Sequence, residues 1–274
     1  MKNLIPFILS FVSAFSFAQN SKIIILTKGQ EIEVSTTSSS LSELSMGMTM
    51  NNNTATTSKL VVVDEDQDSY KLTSTLTKMK LSMEGMGKNV EYDSEKSEDK
   101  DSEIGKLIND KINKASNFLL NKLTGKITVV KGNESDENIG GMMSMSSMGD
   151  VATSLTGDAF LVISSDKKVG ESWSDTTSIN GLITKKNYKI LSIQNDIANV
   201  ELKETIKGTT EKEMQGNSII MKTDAKLDGK ITSNLKTGLV YMIKMDSEIN
   251  GSVEAMGQEM PVSSKTTTTT LFNQ

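Results

Sequence analysis

The feature that most constrains the fold is a regular alternation of apolar and polar residues that recurs along much of the chain. Residues 69–83 show it well, with Leu72, Ser74 and Leu76 in one run and Met79, Leu81 and Met83 in the next. Side chains of a β-strand point to opposite faces in turn, so this pattern predicts a sheet with one buried face. A chain built mostly of such segments is expected to form an antiparallel sheet.

Several of the predicted strands are longer than ten residues, and long strands favour a strongly twisted or curled sheet. We therefore predict a large curled antiparallel sheet or half-barrel. A hairpin over 22–34 should turn at 28–30, and the Ser/Thr/Asn-rich residues 35–58 should form a strand pair with its tip at 51–53. Further strands are predicted over 59–64, 69–83, 171–180, 182–194, 197–207, 210–222, 225–235, 239–249 and 262–271, with turns at 180–181, 195–196, 207–208, 237–238 and near Gly257.

Between residues 102 and 123 the apolar residues recur every three or four positions. This spacing predicts one long amphipathic helix, which makes the fold class mainly β with one helix (α+β). Asp101 or Ser102 would cap its start, and Gly125 lies just beyond its end. The apolar stripe comprises Ile104, Leu107, Ile108, Ile112, Ala115, Phe118, Leu119 and Leu123.

Residues 71–87 and 241–257 share a pattern, since both alternate and both end in Glu-x-Met-Gly. One interpretation is a duplication that produces two related β-halves facing each other across a cavity. The alternative is that two amphipathic hairpins resemble each other because glycine supplies the same turn geometry.

The first 18 residues have the pattern of a secretory signal peptide. Lys2 precedes an apolar run from Leu4 to Phe17, and small residues at Ser16 and Ala18 suit cleavage before Gln19. No cysteine follows that site, and no other segment is apolar enough for a transmembrane helix. We expect a soluble periplasmic or secreted protein that is not a lipoprotein, with a single β-rich domain over 19–274 and a flexible Met/Gly-rich segment over about 132–150.

The composition excludes several classes of site. The chain has no cysteine, no histidine and no arginine, so it lacks the usual nucleophile–base pairs and the usual zinc ligands. We therefore expect a protein that is not an enzyme and has no cofactor. The net charge of −5 argues against a nucleic-acid partner.

The 17 methionines are the most distinctive candidates for a binding site. Flexible thioether side chains suit an adaptable apolar surface, so we predict a ligand-binding groove, although methionine can also serve only as core filler. Thioethers also bind Cu(I), which makes a second cluster at Met142, Met143, Met145 and Met148 a weaker metal candidate. The predicted ligand-binding residues are Met46, Met48, Met50, Met79, Met83, Met242 and Met245.

Four carboxylates crowd into residues 64–68, and carboxylates are calcium ligands. The segment lacks EF-hand spacing and lies between two predicted strands, so a solvated turn is the favoured interpretation.

Two short motifs resemble those of a family of secreted bacterial β-rich proteins, a domain of unknown function. The segment Lys168-Val169-Gly170-Glu171-Ser172-Trp173 is similar to the V-G-[DE]-[ST]-W motif that begins the C-terminal sheet in that family. Residues 229–234 and 237–240 resemble the strand-turn-strand that follows. The proline that usually precedes the first motif is missing here, where Ser164-Ser165 occupies the region. The resemblance implies a fold only, with a looser likeness to periplasmic lipoprotein carriers.

The sequence is compatible with two functions. One is an exported non-enzymatic protein that binds an apolar or lipid-like ligand on its methionine and leucine side chains. The other is a structural or protein-interaction module of the cell envelope without a small ligand, which the Ser/Thr-rich segments favour because Thr266 to Thr270 are expected to be exposed. The partner would then be an envelope protein.

Overall fold

The computed structural model describes residues 23–44, 47–85, 87–130, 159–164, 166–179, 181–214, 217–255 and 257–274. The predicted signal peptide and the Met/Gly-rich segment 132–150 therefore lie outside the described residues. In the described part of the chain, most residues belong to 12 strands. The first six are β1 (Glu31–Leu44), β2 (Met48–Glu65), β3 (Ser69–Gly85), β4 (Lys88–Asp93), β5 (Ala115–Asn121) and β6 (Ile127–Val129). The last six are β7 (Ser172–Ile179), β8 (Leu182–Gln194), β9 (Ile197–Met214), β10 (Asn217–Asn234), β11 (Val240–Ala255) and β12 (Gln258–Asn273).

The strands form one open antiparallel sheet in the order β6-β5-β3-β2-β1-β12-β11-β10-β9-β8-β7, with β4 also paired to β3. The predicted β-halves are thus one sheet, joined at its centre by β1 and β12. We call the end of the sheet at Glu31 and Asn273 the lower end, and the end at Leu44 and Gln258 the upper end.

The predicted long helix over 102–123 is wrong. A 3₁₀ turn at Glu98–Asp101 leads into a short helix α1 (Glu103–Ile108), in which Ser102 Oγ accepts a hydrogen bond from the Gly105 amide. The chain then leaves the helix at Asn109 and returns as β5, which pairs with the lower part of β3. Ser116, Asn117 and Asn121 are weak helix formers, and pairing with β3 supplies hydrogen bonds that outweigh the helical period.

Two predicted turns are also wrong, because the chain stays in a strand there. Residues 51–53 lie inside β2, in unbroken register with β1. Gly208 lies inside β9 and pairs with Thr223 and Leu182. A Cβ at Gly208 would collide with the carbonyl oxygen of Gly181, so close approach of two backbones explains the glycine.

The main hydrophobic core lies at the lower end. It is formed by the inner faces of the strands together with residues 24, 26, 159, 160 and 163, which pack against them. A second cluster forms where Ile108 of α1 covers Met79, Leu81 and Tyr92. Both sets bury aliphatic and aromatic side chains on one face of the sheet, which we call the inner face.

The predicted hairpin over 22–34 is only half right. The turn forms, since Gln30 donates its amide hydrogen to the Thr27 carbonyl. Residues 23–27 do not pair with β1, however. The Ile24 amide donates to the Lys122 carbonyl at 2.7 Å and the Ile25 amide donates to the Thr237 carbonyl at 3.1 Å.

These two bonds show how strongly the sheet curls. Lys122 follows β5 and Thr237 lies between β10 and β11, so in a flat sheet five strand spacings would separate them by about 24 Å. Consecutive backbone nitrogens are less than ~4 Å apart, which places the two carbonyl oxygens within roughly 10 Å of each other. The predicted curl is therefore present at the lower end, where residues 23–27 join the two wings of the sheet.

The sequence motifs occupy defined places in this sheet. Residues 168–171 form a turn in which Gly170 has φ +90° and donates its amide hydrogen to the Ile190 carbonyl, and β7 begins directly afterwards. Both copies of the Glu-x-Met-Gly pattern connect neighbouring strands at the upper end, β3 to β4 and β11 to β12, with matching registers Gly85↔Lys88 and Ala255↔Gln258.

Candidate functional site

The inner face above the core differs from both the core and the opposite face. Residues directly opposite in an antiparallel pair share a face, so the register assigns each side chain to one side. On the inner face of β1, β12 and β2 the apolar residues of the core give way to a band of hydroxyl and amide side chains. These are Thr36, Ser38, Ser40 and Ser42 of β1, Thr270, Thr268, Thr266 and Ser264 of β12, and Ser58, Thr56, Thr54 and Asn52 of β2.

Cross-strand pairs of hydroxyl groups connect β1 to β12 within this band, which we call the hydroxyl band. Thr36 and Thr270 are hydrogen-bonded at 3.1 Å, Ser38 and Thr268 at 3.2 Å, and Ser42 donates to Ser264 at 3.0 Å. Thr270 is only 3% exposed and Thr36 is 8% exposed. The prediction that Thr266 to Thr270 are all exposed is therefore wrong, because alternate residues of this segment face inward.

Apolar side chains flank the hydroxyl band on both sides and at its upper end. They are half-buried, and among the described residues they belong to neither hydrophobic cluster. One flank lies on β2 and β3 and the other on β10 and β11. The residues are Met48, Met50 and Met83 on one side, Met221, Leu227, Ile249 and Val253 on the other, and Leu44 of β1 and Val262 of β12 at the upper end.

The predicted methionine site is divided by the fold. Met48, Met50 and Met83 gather at the upper inner face, where Met50 is opposite Gly85 and Met83 is opposite Asn52. A Cβ at residue 85 would press on the Met50 backbone, so glycine lets the two strands approach at this point.

The other predicted methionines lie elsewhere. Met79 is buried under α1, and Met245 packs against the main core. Met242 is opposite Leu271 and Thr232, on the outer face. Met46 and the copper candidates Met142, Met143, Met145 and Met148 lie outside the described residues.

The outer face is polar and densely charged. Ion pairs on it include Lys207 with Asp224 at 2.8 Å and Lys222 with Glu259 at 2.9 Å. Two open grooves lie here, of about 550 Å³ across β12, β1, β2, β3 and β4 and about 530 Å³ across β10, β11, β12, β1 and β2. Hydroxyl and charged side chains line most of both grooves, so neither is the apolar groove predicted from the methionines.

The carboxylates of residues 64–68 form a turn held by lysines and by the backbone. Lys28 and Lys71 lie 3.1 and 3.4 Å from the Asp64 carboxylate, and the hydrogen bond from Lys28 is the main cause that lowers the Asp64 pKa. Asp66 accepts hydrogen bonds from the Ser69 hydroxyl and from the Ser69 and Asp68 amides, which lower its pKa. Within the described ranges, no group of three or more carboxylates is placed to share a metal ion.

An ion pair also lies on the inner face, between β8 and β9. Glu204 of β9 is 7% exposed, and its carboxylate is 3.7 Å from the Lys186 ammonium of β8. Opposite charges in contact offset part of the cost of burial. The sequence pattern missed it because each residue belongs to a strand rich in other charged and polar side chains.

Among the residues that the structure describes, no helix is long and apolar enough to cross a membrane. Neither a protein-family model nor a curated protein matches the sequence. Solved structures do match the fold. A structure of lipovitellin, concerned with its lipid–protein interactions, has a TM-score of 0.52 and 10% sequence identity over 91% of this chain and 26% of that chain. The present chain thus spans about a quarter of the length of that protein.

An outer membrane channel from Pseudomonas putida F1 matches with a TM-score of 0.22 and 7% identity, over 91% of this chain and 97% of that chain. A TM-score this low supports no argument about a shared fold. The likeness to lipovitellin is at the level of the fold, namely a large open antiparallel sheet.

Proposed function

We propose that the protein is an exported, non-enzymatic binding protein for an apolar or lipid-like ligand, held on the upper inner face of the sheet. One observation carries the proposal. The inner face continues beyond the packed core with half-buried methionine and aliphatic side chains, among them Met50, Met83 and Ile249, that join neither core cluster in the described part of the chain. A curved surface of this kind can remove an acyl chain from water, at about 25 cal/mol per Å² of apolar area buried.

The chemistry of the side chains supports this role. Methionine is unbranched and polarisable, so Met48, Met50 and Met83 can adjust to chains of different length and shape. The outer face carries the charge and keeps that side of the sheet in water, as expected for an amphipathic sheet with one binding face.

The fold likeness to lipovitellin supports the same class of ligand, because that structure concerns lipid–protein interactions. The proposed export rests on the signal-peptide pattern of residues 1–18, and the looser likeness to periplasmic lipoprotein carriers agrees with it.

The proposal that the protein is not an enzyme rests on side-chain chemistry. Histidine, cysteine and arginine are missing from the sequence, and the Asp64, Asp93 and Glu259 carboxylates are each engaged by a lysine. Ion-paired carboxylates with lowered pKa values are poor general bases near neutral pH.

A second candidate is a protein-interaction module of the cell envelope, favoured by the two outer-face grooves that hydroxyl and charged residues line. This alternative predicts that purified protein carries no amphiphile. It also predicts that Lys80→Glu, in the larger groove, abolishes binding to an envelope protein while Met50→Lys does not.

The test is direct. Purify the protein from cells, identify bound small molecules by native mass spectrometry, remove them, and measure rebinding by displacement of an apolar fluorescent dye. Met50→Lys should weaken dye and lipid binding at least ten-fold. The matched control Asn51→Lys, on the outer face of the same strand, should bind as the wild type does.

Circular dichroism and thermal unfolding of both variants show whether they are folded. A wild-type protein that carries no bound amphiphile and binds no dye would contradict the proposed function. Equal loss of binding in the two folded variants would place the ligand elsewhere.

A further inference from the structure

The hydroxyl band is an unusual feature for the middle of a lipid-binding face. Its residues lie between apolar flanks, and the band runs from Thr36 to Ser42, a length of about 20 Å at 3.4 Å per residue. Cross-strand Ser/Thr pairs stabilise a sheet in many proteins. Here, however, the pairs form a polar strip between two strips in which apolar side chains predominate.

The band keeps hydrogen-bonding capacity after its own pairs have formed. Each hydroxyl group has one donor and two acceptor sites, so a pair such as Ser38–Thr268 uses one donor and one acceptor and leaves one hydrogen free. Successive pairs are about 7 Å apart along the strands. The partly buried members Ser38, Thr268, Ser42 and Ser264 are therefore able to bind a polar group that lies on the band.

The uncharged side chains of the band limit the kind of polar group that can bind there. On β1, β2 and β12 above Val34, every inner-face position that the structure describes holds an uncharged side chain. The lysines of these strands, Lys59 and Lys265, lie on the outer face. A carboxylate or phosphate placed here would lose hydration without gaining a cation, which is costly.

We propose that the ligand is an amphiphile with an uncharged, hydroxyl-bearing head group, which lies on the hydroxyl band while its acyl chain lies along the methionine-bearing flank. This inference rests on the proposed function and adds the chemistry of the head group. The band selects neutral acylglycerol-type or glycosylated lipids over fatty acids and phospholipids, because it offers hydrogen bonds and no positive charge.

The experiment compares two probes with the same acyl chain, 1-oleoylglycerol and oleate, bound to the full chain after removal of endogenous ligand. Three proteins are measured by dye displacement at pH 8, where oleate is ionised. They are the wild type, the inner-face double variant Ser38→Ala/Thr268→Val, and the outer-face control Thr37→Val/Thr269→Val, which changes the neighbouring cross-strand pair.

The wild type and the outer-face control should bind 1-oleoylglycerol at least ten-fold more tightly than oleate. The inner-face variant should lose about ten-fold in affinity for 1-oleoylglycerol and keep its affinity for oleate. Equal binding of both probes by the wild type, or an inner-face variant that behaves as the wild type does, would overturn the head-group inference alone. Failure of the wild type to bind either probe would overturn the proposed function and this inference together.

Discussion

The Thr36 and Thr270 hydroxyl groups are hydrogen-bonded at 3.1 Å, although the residues are 234 positions apart in the sequence. Both side chains are nearly buried, and the pair lies where the core ends and the hydroxyl band begins. It also connects β1 to β12, the two strands that join the wings of the sheet.

Removing one hydroxyl group of this pair should lower the free energy of unfolding by more than half of the loss that removing both groups causes. Thr270→Val leaves the Thr36 hydroxyl buried without its partner, at a cost of about 1–2 kcal/mol in the free energy of unfolding. In the double variant Thr36→Val/Thr270→Val neither group is left unpaired, so the cost of the double change should be less than the sum of the two single losses. Urea unfolding of the four proteins in the cycle measures this coupling, and strict additivity would contradict it.

Tyr70 anchors residues 23–27 to the sheet. Its hydroxyl oxygen accepts a hydrogen bond from the buried Leu26 amide at 3.1 Å, and Lys122 lies 4.5 Å from the ring centre. Tyr70→Phe leaves this amide without a partner, which we expect to cost about 1–3 kcal/mol and to speed hydrogen exchange at Leu26. Tyr241→Phe, which removes a part-buried bond from Asn234, is the control and should have the smaller effect. Unchanged exchange at Leu26 in Tyr70→Phe would contradict this role.

Two leucine substitutions distinguish strand β5 from the predicted helix. Leu120 is fully buried in β5, whereas Leu123, which belongs to the helical stripe, is 51% exposed. Leu120→Ala should therefore lower the free energy of unfolding by about 2–5 kcal/mol. Leu123→Ala should change it by less than about 0.5 kcal/mol. A long helix would produce the reverse order in a chemical denaturation experiment.

The acidic turn should make stability depend on pH. Hydrogen bonds lower the pKa of Asp66 in the folded protein, so the folded state binds its proton less readily than the unfolded chain does. The stabilisation from such a group is complete above the unfolded pKa of about 3.9 and is lost as the pH falls through the folded pKa. The free energy of unfolding should thus decrease as the pH falls from about 5 towards 3.

Asp66→Asn should flatten this dependence, because the amide does not titrate. Asp68→Asn is the matched control for the loss of one carboxylate from the same turn, since in the described structure the Asp68 carboxylate takes part in no ion pair or hydrogen bond. Urea unfolding across this pH range compares the two. Equal slopes in all three proteins would contradict a contribution from the turn.

The sequence predicted the sheet well because alternation is a local property of each strand. Alternation predicts that Leu81 and Met83 share a face, and separately that Leu72 and Leu76 do. That both pairs lie on the inner face depends on a register shift opposite Thr57 and Ser58, which alternation does not predict. The helix could not be rejected locally, since the residues after Ile108 satisfy a period of three to four. Only the edge of β3, distant in sequence, explains why residues 115–121 form a strand.

The candidate site was predicted less completely. Met48, Met50 and Met83 come together because they share a face at one end of neighbouring strands, which alternation predicts. Met79 and Met242 do not join them, because α1 covers one and the other lies on the outer face. The hydroxyl band was overlooked because a run such as Thr266 to Thr270 shows no alternation, so its inward members could be found only from the pairing of β12 with β1.

The central position of β1 and β12 has a consequence for biogenesis. Each wing consists of strands that follow one another closely in sequence, so each can form from a local stretch of chain. The junction between them cannot form until β12 has been synthesised, more than 200 residues after β1. Such long-range pairing makes folding slow. For the export proposed above, this order means that the two wings stay unjoined until β12 has emerged.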